Sequence, residues 1–203
     1  MPHDLNDVTH ALNAQSLREL PARFGCPVWA YDAQTIVSRI AQLRQFDTIR
    51  FAQKACSNTH ILRLMREQGV KVDSVSLGEI ERALIAGFVP GTDAHEIVFT
   101  ADLLDRPTLQ RVSELNIPVN AGSVDMLEQL GQQSPGHPVW LRVNPGFGHG
   151  HSQKTNTGGE NSKHGIWYGD LPLALAHIQR YQLKLVGICL LYTSDAADDM
   201  QCV

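Results

Sequence analysis

Short runs of strand-forming residues alternate with helical segments along most of this chain, and this alternation restricts the possible folds more than any other feature. Six such runs are visible, and they cover residues 49–53, 70–75, 97–100, 117–120, 139–143 and 184–188. Strands that alternate with helices are usually parallel strands joined by helical crossovers. The sequence therefore predicts an α/β fold with a parallel sheet.

The segments between these runs carry start and stop signals for helices. Candidate N-cap residues precede the apolar periodic stretches, and glycines follow two of those stretches. The candidate caps are Ser57 or Asn58, Ser76, Asp105, Ser123 and Asp170, and the glycines are Gly69 and Gly87. An N-cap oxygen accepts hydrogen bonds from the first helical N–H groups, and glycine readily ends a helix. We expect helices to begin and end at these residues.

The ends of the predicted strands favour a (β/α) barrel over an open doubly wound sheet. An open nucleotide-binding sheet usually has a glycine-rich turn after its first strand, and this chain has Lys54 at that place. Most predicted strands end in a polar residue, namely Lys54, Ser74, Thr100, Asn120 and Arg142. Converging polar strand ends are typical of the catalytic face of a barrel. A closed barrel of this type needs eight strands, so the six visible strands predict an incomplete barrel.

Composition excludes several classes of protein. The chain has 203 residues, 43% of them hydrophobic, and a net charge of −4, which suits one domain and offers no basic surface for nucleic acid. No apolar run approaches the roughly 18 residues of a membrane span, and the polar N-terminus does not resemble a signal peptide. The four cysteines show no CxxC spacing, so we expect free thiols and a cytoplasmic protein. An exported protein with one disulfide is the alternative.

Lys54 is the clearest candidate for a reactive residue. It directly follows an apolar strand, and its neighbours Ala52, Ala55, Cys56 and Ser57 are small enough to let a planar group approach. A neutral lysine amine can attack a carbonyl carbon and form a covalent bond. The alternative is a surface lysine at a strand end, which is the common case for an isolated lysine.

Four segments, in order along the chain, resemble the fold-type III pyridoxal-phosphate decarboxylases, whose barrels are similar to that of alanine racemase. The first is FAQKACSN, which resembles the Y-A-x-K-A-N lysine motif of the family. The others are VDSVSLGEIERAL, WLRVNPG and NSKHGI, which resemble its D-x-x-S-x-G-E-L, L-R-I/V-N-P and S-K-F-G segments. The resemblance covers roughly residues 15–188. One such match would be weak evidence, but four in the correct order are specific.

The resemblance implies a site and a cofactor. Lys54 would carry pyridoxal 5′-phosphate covalently, Asp73 would lie near this lysine, and Arg142 would lie near the phenolic oxygen of the cofactor. The family implies an amino-acid decarboxylase that acts on a small-molecule substrate, without nucleic acid or membrane partners, and the full-length protein would be a homodimer. Without the resemblance, Asp73 and Arg142 would be interpreted as a solvated carboxylate and a surface ion pair.

A long segment rich in glycine and asparagine, residues 146–165, does not follow the strand–helix rhythm. Loops of this length inside a domain are usually functional or disordered. Its histidines, His149, His151 and His164, have a spacing that could bind zinc, but no cysteine is near. We expect no metal here and interpret the segment as a lid over the active site, with a disordered surface loop as the alternative.

The resemblance stops abruptly after Ile188. The family continues with a His-x-His-I-G-S-G motif, in which a histidine stacks on the cofactor and the glycines approach its phosphate. This chain has Leu191 in place of that histidine, and Thr193 and Asp195 in place of the glycines. We therefore interpret residues 1–188 as the N-terminal part of a pyridoxal-phosphate barrel, and residues 189–203 as foreign or frameshifted sequence. The C-terminal β domain of the family is absent, so we expect this chain alone to be inactive.

Two other hypotheses remain open from the sequence. The chain could be a single-domain pyridoxal-phosphate homeostasis protein without enzymatic activity, which shares the barrel and the lysine and has a similar length. It could also be an unrelated barrel enzyme in which Lys54 is a surface residue. The long 146–165 segment and the VDSVSLGE match favour the decarboxylase family over both.

Overall fold

The computed structural model describes residues 14–25, 27–91, 95–147, 159, 162 and 164–190. Within these residues the chain forms one parallel sheet of seven strands. The strands are β1 (Arg50–Ala52), β2 (Lys71–Ser74), β3 (Ile97–Phe99), β4 (Val119–Ala121), β5 (Pro138–Asn144), β6 (Ile166–Trp167) and β7 (Lys184–Leu190). All pairings are parallel, as the alternation of strands and helices predicts.

The strand order follows the chain, which is the winding of a barrel. Strands β1 to β6 neighbour one another in sequence order, and β7 also pairs with β5. A doubly wound sheet would instead reverse its strand order at a switch point. The sheet is not closed within the described residues, because β1 pairs there with β2 alone. The prediction of an incomplete α/β barrel is therefore confirmed.

Seven helices accompany the sheet in the described part of the chain. They are α1 (Ala14–Phe24), α2 (Ala33–Gln42), α3 (Thr59–Glu67), α4 (Leu77–Ala86), α5 (Arg106–Glu114), α6 (Val124–Gln133) and α7 (Leu171–Arg180). None of the described helices is long and apolar enough to cross a bilayer.

The helix ends largely follow the sequence signals. Side chains of the N-caps accept hydrogen bonds from backbone N–H groups at four of the five predicted starts, and these caps are Asn58, Ser76, Asp105 and Ser123. Asp170 occupies the N-cap position of α7 but makes no side-chain capping bond. Gly87 ends α4 in the left-handed conformation, with φ of 97°.

The main apolar core lies between the sheet and the helices. It contains residues from the strands and from α3 to α7, including Leu62, Val72, Ile80, Ile97, Phe99, Val112, Val119, Leu127, Leu130, Val139, Leu141 and Ala174. A second, smaller cluster joins α2 to α3 through Ile40, Ile61, Met65 and Val70. This packing fixes the register of the strands. It therefore also fixes which side chains, between the core positions, point to the other face of the sheet.

The structure adds one strand that the sequence pattern does not predict. β6 has only two residues, which pair with Val143 and Asn144 of β5. Gly165, just before β6, has φ of 84°, and a Cβ atom there would lie 3.0 Å from Asn144 N and 3.1 Å from Arg142 O. A glycine is therefore needed for the chain to approach β5 so closely.

Candidate active site

A cavity of about 340 Å³ lies at the carboxyl ends of the strands. It is lined by Lys54, Asp73, Val75, Thr100, Ala101, Asp102, Asn120, Arg142, His164 and Cys189. In parallel α/β folds the carboxyl ends of the strands are where ligands bind. The residues predicted from the sequence to form the site, Lys54, Asp73 and Arg142, are therefore brought together in one cavity at the expected end of the sheet.

Lys54 lies on a short 3-10 turn, Gln53–Ala55, that directly follows β1. The preceding residue, Gln53, is fully buried and donates a hydrogen bond from Nε2 to Ser74 Oγ at 3.2 Å. Its carbonyl accepts hydrogen bonds from Cys56 N and from Ser57 Oγ, both at 3.0 Å. The turn is thus anchored on its buried side, and Lys54 is on the exposed side at the cavity.

Asp73 lies in β2 and is the most perturbed acid of the cavity. Burial raises the pKa of its carboxyl to about 6, although the Thr100 hydroxyl and the positive charges of Arg50, Lys54 and Arg142 partly oppose this. Its Oδ1 atom is buried and has no hydrogen-bond partner among the described residues. An unsatisfied buried carboxylate oxygen is costly, so this atom is suited to accept a hydrogen bond from a bound group.

Asn120 and Glu79 add polar groups around these residues. Asn120 donates from Nδ2 to Thr100 Oγ1 at 3.4 Å, and its Oδ1 atom is buried without a described partner. Glu79 is buried in the first turn of α4, where its Oε2 accepts a hydrogen bond from Val75 N at 2.8 Å. Burial raises the pKa of Glu79, while the Val75 hydrogen bond and the charge of Lys54 oppose the shift.

Arg142 lies in β5 with its side chain only 12% exposed. Its Nη1 atom donates a hydrogen bond to Asp102 Oδ1 at 3.3 Å, and the other carboxylate oxygen of Asp102 lies 2.8 Å from His164 Nδ1. That second approach is close but is not an aligned hydrogen bond, since Nδ1 has no hydrogen-bond partner of good geometry among the described residues. Asp102 thus lies between a cation and an imidazole at the cavity.

Asp102 lines the cavity but is not predicted from the strand ends, although the sequence contains a signal for it. Asp102 follows Thr100, the predicted polar end of β3, by two residues, so it lies at the same edge of the sheet. His164 is near Asp102 in the cavity, whereas His149 and His151 lie outside the described residues. Within the described residues there is no group of three potential metal ligands. Most of the segment interpreted as a lid also lies outside them.

Asn144 holds Gly146, at the start of that segment, close to Gly159 within it. Its Oδ1 accepts hydrogen bonds from Gly146 N at 3.1 Å and from Gly159 N at 3.0 Å, and its Nδ2 donates to Gly159 O at 3.0 Å. Asn144 ends β5, so the segment leaves and rejoins the fold at the carboxyl end of the sheet.

Two other cavities are less suited to catalysis. One, of about 360 Å³, lies between α2 and α3, and its lining is mainly apolar, with Tyr31, Ile36, Ile61 and Leu64. The other, of about 430 Å³, lies at the amino ends of the strands and is lined by Thr48, Arg50, Lys71, His95, Trp140 and Val186. Neither combines a lysine with nearby acids, as the cavity around Lys54 does.

The family model for the pyridoxal binding domain of pyridoxal-dependent decarboxylases matches residues 33–202. This chain belongs to that family. The match covers well over half of the sequence, and it confirms the resemblance that the four ordered segments indicate.

Individual relatives are diaminopimelate decarboxylases. The protein of that name from Escherichia coli strain K12 is 75% identical over 188 residues, which are 93% of this chain and 45% of the relative. The Streptomyces coelicolor protein is 64% identical over 178 residues, which are 88% of this chain and 40% of that relative. A crystal structure of diaminopimelate decarboxylase superimposes with a TM-score of 0.86 at 73% identity, covering 95% of this chain and 46% of that one.

These relatives bear on the remaining sequence-based interpretations. The segments FGCPVWAYDA and PVNAGSVDML also resemble enterobacterial diaminopimelate decarboxylases, and the identity to the Escherichia coli protein confirms this. The relatives do not favour the non-enzymatic homeostasis protein. The chain spans about half the length of the relatives that it matches, so activity and substrate belong to the proposal below. The boundary at residue 188 stays a prediction.

The residues of the cavity fit a pyridoxal group. Lys54 supplies an amine at the cavity, and the Oδ1 atoms of Asp73 and Asn120, which have no hydrogen-bond partner among the described residues, supply acceptors. Arg142 supplies a fixed positive charge. An aldehyde with hydroxyl and ring-nitrogen groups would satisfy an amine, acceptors and a cation of this kind.

Proposed function

We propose that the full-length protein to which this chain belongs uses pyridoxal 5′-phosphate to decarboxylate meso-diaminopimelate to L-lysine. The observation that carries the proposal is the convergence of Lys54, Asp73 and Arg142 on one cavity, in a chain 75% identical to a diaminopimelate decarboxylase. In the experiments below, the full-length protein is represented by residues 1–188 followed by the remaining part of the Escherichia coli relative.

Each of these residues has a role that follows from its chemistry. The Lys54 amine would hold the cofactor covalently, and as an amine that can gain and lose a proton it would also return a proton to the substrate carbon. When bound, the cofactor ring accepts the electrons left behind by the departing carboxylate. Arg142 would supply a positive charge that favours the anionic form of the phenolic oxygen of the cofactor.

Asp73 acts on Lys54 through charge. Its carboxyl has a pKa raised to about 6 by burial, so it is mostly ionised at neutral pH and attracts the protonated form of the lysine amine. As the pH falls through about 6, Asp73 becomes protonated and this attraction is lost. We therefore expect decarboxylation to decline on the acid side of about pH 6.

The proposal includes the setting of the protein as well. We expect it in the cytoplasm, with the thiols of Cys56 and Cys189 unpaired as they are in the structure, and we expect the full-length protein to form a homodimer. The substrate would be a free amino acid.

Two measurements on the full-length protein test the proposal. Borohydride reduction in the presence of cofactor should attach the cofactor irreversibly to the peptide that contains Lys54, as peptide mass spectrometry would detect. Attachment to Lys71 or Lys163 instead would contradict the assignment of Lys54. Release of carbon dioxide from meso-diaminopimelate should accompany this labelling. A labelled protein that releases no carbon dioxide from this substrate would show that the reaction is assigned wrongly, although the cofactor site is right.

A further inference from the structure

Asp102 joins three separate segments of the chain at the cavity. It lies three residues beyond the end of β3, while Arg142 belongs to β5 and His164 immediately precedes the Gly165–Ile166 entry to β6. Its two carboxylate oxygens face different partners, since Oδ1 lies 3.3 Å from Arg142 Nη1 and Oδ2 lies 2.8 Å from His164 Nδ1. All three side chains line the cavity that contains Lys54.

The burial of these side chains indicates which of them needs support. Arg142 is 12% exposed, whereas Asp102 is 38% exposed and His164 is 26% exposed. A largely enclosed guanidinium requires a counter-charge and hydrogen-bond acceptors, and Asp102 supplies both from the outer side. A guanidinium has five N–H donors in a fixed fork. It can therefore bind Asp102 and still present donors to the cavity.

We propose that Asp102 is a positioning residue, which holds the Arg142 guanidinium in place at the cofactor cavity and is itself held by His164. This inference rests on the proposed function, because it assigns to Asp102 an effect on the cofactor that is exerted through Arg142. Asp102 does not touch the reacting atoms.

The test is a double-mutant cycle between Asp102 and Arg142 in the full-length protein, measured as the affinity for pyridoxal 5′-phosphate and the absorbance spectrum of the bound cofactor. Asp102→Asn keeps the shape of the side chain and removes its charge. We expect it to weaken cofactor affinity about three- to tenfold, the range for a partly exposed charge-assisted hydrogen bond. Its absorbance change should have the same direction as that of Arg142→Gln.

The decisive comparison is the double variant. If Asp102 acts through Arg142, Asp102→Asn combined with Arg142→Gln should have the affinity and spectrum of Arg142→Gln alone. If the two losses add, Asp102 acts independently of Arg142 and the inference is wrong. If Arg142→Gln weakens binding while Asp102→Asn does not, the inference is again wrong, and the proposed function is unaffected. If Arg142→Gln itself changes neither affinity nor spectrum, both the inference and the proposed role of Arg142 are wrong.

Asp105→Asn is the matched control. Asp105 lies three residues further along the same segment and is not a cavity residue, and it caps α5 by accepting a hydrogen bond from Thr108 N at 3.0 Å. Asparagine is about as good an N-cap as aspartate, so cofactor affinity should stay within twofold of wild type. An equal loss in Asp105→Asn and Asp102→Asn would indicate a general disturbance of the segment and would overturn the inference.

Variants of His164 provide a second, independent test of the inference if Asp102→Asn folds poorly. The atom that faces Asp102 is Nδ1, and the amide nitrogen of asparagine can lie at about the same distance from the backbone, so asparagine keeps a polar nitrogen beside the carboxylate. We expect His164→Ala to weaken cofactor affinity about twofold to fivefold, and His164→Asn to recover most of that loss. Equal losses in both variants would exclude the Nδ1 contact as the reason for the effect.

Discussion

The two faces of the parallel sheet are built from neighbouring residues, but they have opposite character. In β5, the side chains of Val139, Leu141 and Val143 belong to the apolar core under the helices. The alternate residues Trp140 and Arg142 line cavities on the other face. Successive residues of a strand point to opposite faces. The packing of the apolar face therefore determines where the charged groups of the polar face are placed.

The difference between the faces also concerns hydrogen bonding. On the polar face, Asp73 in β2 and Asn120 in β4 have buried oxygens without a described partner, although their neighbours Val72 and Val119 are fully buried in the core. Unsatisfied buried polar atoms reduce stability. The apolar face thus stabilises the fold. The polar face contains unsatisfied atoms that lower stability and that a bound ligand would satisfy. Substitutions on the two faces should separate these effects.

The largest effect is expected for Lys54→Ala in the full-length protein. The covalent attachment of the cofactor should be lost, and carbon dioxide release should fall about 10³-fold or more, because one side chain is proposed to serve both attachment and proton return. The thermal unfolding midpoint without cofactor should change little, since Lys54 is on the exposed side of its turn. Lys184→Ala, at an exposed position of β7, is the control and should keep full activity. Substantial turnover in Lys54→Ala would contradict the proposed site.

On the apolar face, Leu130→Ala should have the opposite effect: it should lower stability and leave cofactor binding nearly unchanged. Leu130 in α6 is fully buried, and truncation of such a leucine costs about 2–5 kcal/mol in the free energy of unfolding. Urea unfolding of the full-length protein would measure this loss, and cofactor affinity should stay within twofold. Leu103→Ala is the matched control, since Leu103 is 85% exposed, and its free energy of unfolding should change by less than about 0.5 kcal/mol. A loss of cofactor affinity in Leu130→Ala as large as that of a cavity substitution would contradict the separation of the faces.

The apolar face could be predicted from the sequence in some detail. Each of the six runs identified from strand propensity overlaps a strand, and the cap residues Asn58, Ser76, Asp105 and Ser123 begin helices as predicted. These signals are local, because a cap acts within three residues and strand alternation within a few. β6 could not be predicted in this way. It has two residues after a glycine-rich segment, and its existence depends on pairing with β5.

The polar face could be predicted only in part. Lys54, Asp73 and Arg142 follow from the strand ends and from the resemblance, and the structure places them in one cavity. The contact of Asp102 with Arg142 joins residues 40 positions apart, and a strand-end pattern does not specify which loop residue turns inward. The burial that raises the pKa of Asp73 is likewise a property of the assembled sheet.

An intermediate effect is expected for Asp73→Asn, measured as stability against pH in the full-length protein without cofactor. The Asp73 carboxyl has its pKa raised from 3.8 to about 6 by burial, so the folded protein binds this proton more tightly than the unfolded chain. Stability from this group is therefore present below about pH 4, declines as the pH rises towards 6, and is lost above it. Asparagine does not ionise, so the variant should be more stable than wild type at pH 7 by on the order of 3 kcal/mol.

The pH dependence distinguishes this cause from a change in packing. At pH 4 the wild-type carboxyl is protonated in the folded state, so the two proteins should then have nearly the same free energy of unfolding. The difference should develop between about pH 4 and 6, and carbon dioxide release by the variant should fall even where it is more stable. A difference in stability that is constant from pH 4 to pH 8 would show that ionisation of Asp73 is not its source.

The smallest effect is expected at Gly165, which immediately precedes β6. Gly165 and Gly25 share a φ of 84°, but an added Cβ at Gly165 would lie 3.0 Å from Asn144 N and 3.1 Å from Arg142 O, whereas one at Gly25 would meet no atom of the described residues within 4 Å. Alanine at either position has the strain of a left-handed conformation, about 1 kcal/mol. At Gly165 it must also displace backbone that adjoins both Arg142 and His164. We therefore expect Gly165→Ala to lose about 1 kcal/mol more stability than Gly25→Ala, and to weaken cofactor affinity where Gly25→Ala does not. Equal losses of stability and unchanged affinity in both variants would mean that the approach of Gly165 to β5 does not help to place the groups of the cavity.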